Sequence, residues 1–142
     1  MVIDSLRALK QKKVFALVGE SGTGKSFRAK LVAQKYKIEL IIDDGLLIRE
    51  YRILAGQSAK KEPSFLSAVK VALFDDKSHR DDVARRLLNE NFKRILLLGT
   101  SEKMVKKIAI RLQLPLPSKI IKIIDIASQD EIDRAIRTRR IE

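Results

Sequence analysis

An α/β fold, with a mainly parallel sheet flanked by helices, is what this sequence predicts, and three observations predict it. Short apolar runs that stop at glycine or at an acid recur along the chain, and amphipathic segments at helical spacing alternate with them. The length, 142 residues, fits one domain. A single domain over residues 1–142 is therefore expected, with room for one sheet and its covering helices.

The elements follow in order. Lys13 to Val18 is an apolar run (Val14, Phe15, Ala16, Leu17, Val18) closed by Gly19, which reads as a buried strand. From Lys25 to Tyr36, Ala29, Val32, Ala33 and Tyr36 recur at helical spacing, with Arg28, Lys30 and Lys35 on the other faces. Ile38 to Ile42 is the next strand, closed by Asp43, Asp44 and Gly45. Leu46 to Ile48 and Ile53 to Ala55 flank Arg49-Glu50-Tyr51-Arg52, and Gly56 ends the second run, so a β-hairpin is predicted. Gln57 to Pro63 is polar and is expected to be a mobile loop. Two helices are expected next, Ser64 to Phe74 and Arg80 to Asn91, the second turning Val83, Leu87 and Leu88 inward. Arg94 to Leu98 is a further buried strand, ending at Gly99. Ser101 to Leu112 carries an apolar stripe of Met104, Val105, Ile108 and Leu112, and Leu114-Pro115-Leu116-Pro117 breaks that helix. Ile120 to Ile126 is expected to be the last strand. Ser128 and Glu131 then form a capping box for a C-terminal helix. That helix has no stop signal before Glu142, which leaves open whether the natural chain continues.

Composition narrows the chemistry. The chain has no cysteine and one histidine, which excludes disulfides, thiolate zinc sites and a cysteine nucleophile, and leaves nothing for a histidine metal cluster. No run approaches the roughly 20 apolar residues that span a bilayer. The first residues include Asp4 and lack a signal-peptide pattern, so a cytoplasmic protein without a membrane partner is expected. Thirty basic against eighteen acidic residues give +12, an excess shared equally by the two halves. Such a surface suits phosphate-bearing partners, nucleic acid among them, and equally well a plain solvated surface.

The chemistry sits in Gly19-Glu20-Ser21-Gly22-Thr23-Gly24-Lys25-Ser26, which fits G-x-x-x-x-G-K-[ST] between a predicted strand and a predicted helix. Glycines let backbone amides curl around phosphates, and the helix beginning near Gly24 adds its positive end. Lys25 is the expected partner of β- and γ-phosphate oxygens and Ser26 of magnesium. A phosphate site also needs a carboxylate to order the metal. Asp43 and Asp44, directly after an apolar run, supply two, and adjacent carboxylates repel unless a cation or proton lies between them. The other reading makes Asp44-Gly45 a turn with Asp43 its cap, and Asp125 is a rival acid at the end of the last predicted strand.

Gly19 to Gly56, with GESGTGKS, a helix, IELIIDD and the hairpin LLIREYRILAG, resembles HPr kinase/phosphorylase, within the wider P-loop NTPase superfamily and near the phosphoenolpyruvate carboxykinase-like folds. The resemblance covers about a quarter of the chain and stops before Ser58. It implies a P-loop NTPase-like fold in which Lys25 and Ser26 meet phosphate and magnesium. It also implies that Asp43 and Asp44 hold magnesium and activate the attacking group. That family carries a histidine upstream of the loop, whereas His79 lies downstream and is assigned no role.

The expected activity is an ATP- and Mg2+-dependent phosphotransferase or nucleoside triphosphatase whose phosphate acceptor is unnamed. The alternative is a nucleotide-dependent binding or switch module for a nucleic acid or protein, in which ATP orders residues 57–63. Thr100 and Ser101 are read as a helix cap or as γ-phosphate contacts. Arg49 and Arg52 are read as exposed hairpin charges or as contacts to a second substrate or a transferring phosphoryl group, and Arg137, Arg139 and Arg140 as a solvated helix end, an arginine finger in trans or a nucleic-acid patch.

Overall fold

The computed structural model describes residues 8–127, 131 and 134–138. Its strands are β1 (Lys13–Val18), β2 (Leu40–Asp43), β3 (Leu46–Arg49), β4 (Arg52–Gly56), β5 (Arg94–Gly99) and β6 (Lys119–Lys122). Its helices are α1 (Lys25–Tyr36), α2 (Phe65–Ala72), α3 (Lys77–Leu88), α4 (Glu102–Arg111) and the single turn α5 (Ile123–Ile126), with a 3-10 turn at Ala59–Lys61.

The six strands form one mixed sheet in the order β4-β3-β2-β5-β1-β6. β5 pairs in parallel with both β1 and β2, and β6 pairs in parallel with the far side of β1. β3 and β4 extend the sheet past β2 as antiparallel neighbours. The alternation of side chains along β1 and β5 explains why helices cover both faces. Val14, Ala16, Val18, Ile95 and Leu97 pack with Val83 and Leu87 of α3 and Val105 and Ile108 of α4. Phe15, Leu17, Leu96 and Leu98 pack on Ala29 and Val32 of α1. Strands buried on both faces have to read as continuous apolar runs, as Lys13–Val18 and Arg94–Gly99 do.

Local chemistry sets the helix starts. Ser64 caps α2 in a capping box with Ser67, Asp76 caps α3 by accepting from the amide of His79, and Ser101 caps α4 by accepting from Met104. α3 thus begins three residues before the expected Arg80, because Asp76 is the capping side chain. Glu39, just before β2, accepts from the amides of Lys93 and Arg94 at 2.9 and 3.0 Å and so seats the start of β5 beside β2.

Two expectations need correction. The last strand ends at Lys122 instead of Ile126: β6 finds a partner in β1 only as far as Val18, and beyond that point Ile123–Ile126 fold into α5. Residues 57–63 are a built turn: Ala59 is buried and its amide donates to the carbonyl of Asp44 at 2.9 Å. The proposed capping residue Ser128 lies outside the described residues, as do Arg139 and Arg140.

Candidate functional site

Between β1 and α1 the backbone turns through Gly22 at φ 80° and Gly24 at φ 88°, left-handed values that glycine takes at little cost. Gly19 is needed for another reason. A Cβ there would sit 2.3 Å from Cγ2 of Ile123, so α5 closes the loop's first residue against any side chain. Thr23 is buried, and its hydroxyl donates to the carbonyl of Glu20 at 2.7 Å. Gly24 is the N-cap of α1 and offers no side chain to the first amides, which leaves those donors to whatever enters the loop. Lys25, the first residue of α1, reaches back across the loop to the carbonyls of Gly19 at 2.6 Å and Glu20 at 2.9 Å. Its ammonium therefore lies inside the loop's curve.

The acids arrive from β2, which is separated from β1 by β5. Neighbouring strands lie about 4.8 Å apart, so the ends of β1 and β2 are about 10 Å apart and only side chains bridge them. Ser26 Oγ does so by donating to Asp43 Oδ2 at 2.7 Å. Asp44 stands in the left-handed region at φ 50° and makes a turn with Gly45, where a Cβ would lie 2.3 Å from the carbonyl oxygen of Gln57. Asp44-Gly45 is thus a turn, as the turn reading expects, whereas Asp43 ends β2 as a strand residue turned toward the loop. Lys60 Nζ approaches Asp44 Oδ2 at 3.8 Å from the 3-10 turn. His79 fixes the same turn from below. It is 2 % exposed, stacks on Phe74 and places Nε2 2.8 Å from the carbonyl oxygen of Gly45.

A cleft of about 610 Å³ opens over these groups, within the range of small-molecule and cofactor sites. Ser21, Gly22, Thr23, Gly24, Lys25, Ser26, Asp43 and Asp44 line it, and Gly19 and Glu20 lie behind as the carbonyls that hold Lys25. Thr100 lines it at the end of β5, while Ser101 is spent on capping α4. Among the lining residues that the sequence did not mark for the site are Phe27, Arg28, Lys60 and Arg134. The first two follow the motif directly and are flagged by adjacency, whereas Lys60 and Arg134 are placed only by tertiary structure. Arg28 pairs with Glu131, which brings C-terminal residues over the loop.

Other candidates fall elsewhere. Asp125 is exposed in α5 and does not line the cleft, because the chain leaves strand geometry before reaching it. Arg49 donates to the carbonyl of Asn91 at 2.6 Å and faces Glu90, so it ties the hairpin to the end of α3. Arg52 is exposed on β4 and Arg137 on the C-terminal helical residues, neither among the cleft's lining. Among the described residues, no group of three or more His, Cys, Asp or Glu is placed to hold a metal, and no helix is long and apolar enough to cross a membrane. Comparison of the chain with protein-family models, with curated proteins and with solved structures gives no match.

Proposed function

We propose that this chain is a P-loop NTPase-like domain that binds ATP with Mg2+ and transfers or hydrolyses its γ-phosphoryl group. One observation carries the reading: the 2.7 Å hydrogen bond from Ser26 to Asp43 joins the loop's hydroxyl to a carboxylate 17 residues away, beside Lys25. A hydroxyl and a carboxylate are hard oxygen donors that suit magnesium, which takes one or two carboxylates and completes its octahedron with water and phosphate. Ser26 and Asp43 would hold the ion, and the ion supplies neutralisation of charge on the β- and γ-phosphates. Lys25 binds the phosphate chain from within the loop, together with the amides of Gly22 to Ser26. Asp44, one residue on, orients the attacking hydroxyl or water. In-line transfer needs little more than such positioning and charge neutralisation. The resemblance of Gly19 to Gly56 to HPr kinase/phosphorylase supports the same reading of the nucleotide half, and leaves the acceptor open.

The switch-module alternative draws support from the Arg28–Glu131 pair, which sets C-terminal residues over the cleft where a nucleotide would meet them. Turnover separates the two. With Mg-ATP, an enzyme releases phosphate or labels an acceptor, while a switch changes partner affinity without turnover. Lys25→Ala tests the shared premise by equilibrium titration with Mg-ATP. Loss of at least tenfold in affinity is expected, and unchanged affinity would overturn the reading.

A further inference from the structure

The geometry points to Lys60 as the residue that reads the γ-phosphate, so that this site distinguishes a nucleoside triphosphate from a diphosphate. The inference rests on the nucleotide-binding reading above and adds a specificity residue to it.

Lys60 is not part of the motif and reaches the site by a separate route. The 3-10 turn Ala59–Lys61 is built on the acid turn: Ala59 N donates to the carbonyl of Asp44 at 2.9 Å, Gln57 N donates to that of Gly45 at 3.2 Å, and Ala59 is buried beneath. Ser58 caps the turn through the amide of Lys60. These contacts fix the backbone of Lys60 while leaving its side chain 59 % exposed, against the same cleft that holds Lys25 and Ser26.

Position within the cleft decides which phosphate it meets. The loop's amides would take the α- and β-phosphates, and Lys25 and Ser26 the side where β- and γ-phosphate oxygens and magnesium meet. Asp43 is tied to Ser26, Asp44 follows Asp43, and Lys60 stands 3.8 Å from Asp44. Asp43 on β2 lies across the cleft from the loop, with Asp44 and Lys60 beyond it, so Lys60 is at the γ end. An ion pair at that distance between partly exposed groups adds little to stability, which gives the placement of a lysine there another use. A phosphate oxygen is a stronger attraction for an ammonium than a partly exposed carboxylate, because charge-assisted hydrogen bonds to phosphate are short and strong. A four-carbon stem lets Lys60 turn from Asp44 to the phosphate while the backbone stays fixed.

The test is equilibrium titration of the wild type, Lys60→Ala, Lys60→Arg and Lys61→Ala with Mg2+ plus a non-hydrolysable ATP analogue, and separately with Mg-ADP. Lys61 is exposed on the same turn and lies outside the cleft's lining. For Lys60→Ala we expect the analogue to bind about tenfold more weakly and ADP to bind within twofold of wild type, with Lys60→Arg recovering much of the loss and Lys61→Ala changing neither. Equal weakening of both nucleotides, or of neither, overturns the assignment. So does an equal loss of analogue affinity in Lys61→Ala, which would make the effect one of net charge. A Lys60→Ala protein that melts below wild type is replaced by Lys60→Met, which keeps an uncharged, unbranched stem of the same length, and the same criteria apply. If wild type binds neither nucleotide while melting cooperatively, the nucleotide reading itself has failed. Binding of both with no role for Lys60 leaves that reading intact and removes only this one.

Discussion

Gly19→Ala isolates a steric requirement from a conformational one. The added Cβ would lie 2.3 Å from Cγ2 and 2.9 Å from Cβ of Ile123, where carbon atoms normally rest at about 3.5–4.0 Å. Ile123 is 4 % exposed and packed in the cluster of Phe15, Leu17 and Ile121, so it has little room to turn aside. Overpacking of this kind costs about 1–3 kcal/mol. With an unfolding entropy of about 2.1 cal/mol/K per residue over 142 residues, a cost of about 2 kcal/mol lowers the melting temperature by about 7 °C. Thermal unfolding followed by circular dichroism measures this. Ile123→Ala alone should cost about 2–4 kcal/mol through its lost burial. The double variant should fall short of the sum by about 1 kcal/mol or more, since trimming Ile123 removes the atom nearest the new methyl. A Gly19→Ala protein melting within 1 °C of wild type, or costs that simply add, would refute the argument.

Other outcomes follow from the same geometry. Asp43→Asn removes a charge-assisted hydrogen bond with Ser26, and should weaken Mg-ATP binding about tenfold while leaving magnesium-free ATP binding nearly unchanged, as titrations with and without EDTA would show. His79→Ala empties a buried site stacked on Phe74 and removes a contact to Gly45, for a loss of about 3 kcal/mol in a urea denaturation series. The hydrogen bond from Lys77 holds the Asp81 carboxyl below its ordinary pKa, with nearby positive charge adding to it. A depressed carboxylate contributes stability that is present above its unfolded pKa and lost as pH falls through its folded one. NMR titration of Asp81 should therefore show a low midpoint that returns to the usual carboxylate range in Lys77→Ala.

Much of the molecule was legible in advance where one physical signal dominates. β1 and β5 are buried on both faces, and a two-sided burial writes itself as an unbroken apolar run. The limits of α1 could be read from the glycine before it and the periodicity within it. Ile120 to Ile126 misled because an apolar run does not distinguish a strand from a buried helical turn, and only the length of β1 decides where pairing stops. In the candidate site, Ser26 and Asp43 were both nameable, since each lies beside an element boundary. Lys60 was not: a lysine in a polar stretch has no period, and its position depends on a backbone contact to Asp44. His79 had no signal either, because its partner, the carbonyl of Gly45, is common to every residue.

The placement of β5 between β1 and β2 has a consequence for how the protein comes into being. Every residue of the motif, both acids and Lys60 have been synthesised by residue 60, yet nothing at that point separates β1 from β2 by the width of one strand. Arg94–Gly99 supplies that spacing. A fragment ending at residue 75 would hold the loop, both acids and Lys60 without the distance between them. The spacing of the site is therefore incomplete until residues 94–99 have been made, and the end of that same strand brings Leu98, Gly99 and Thr100 to the cleft.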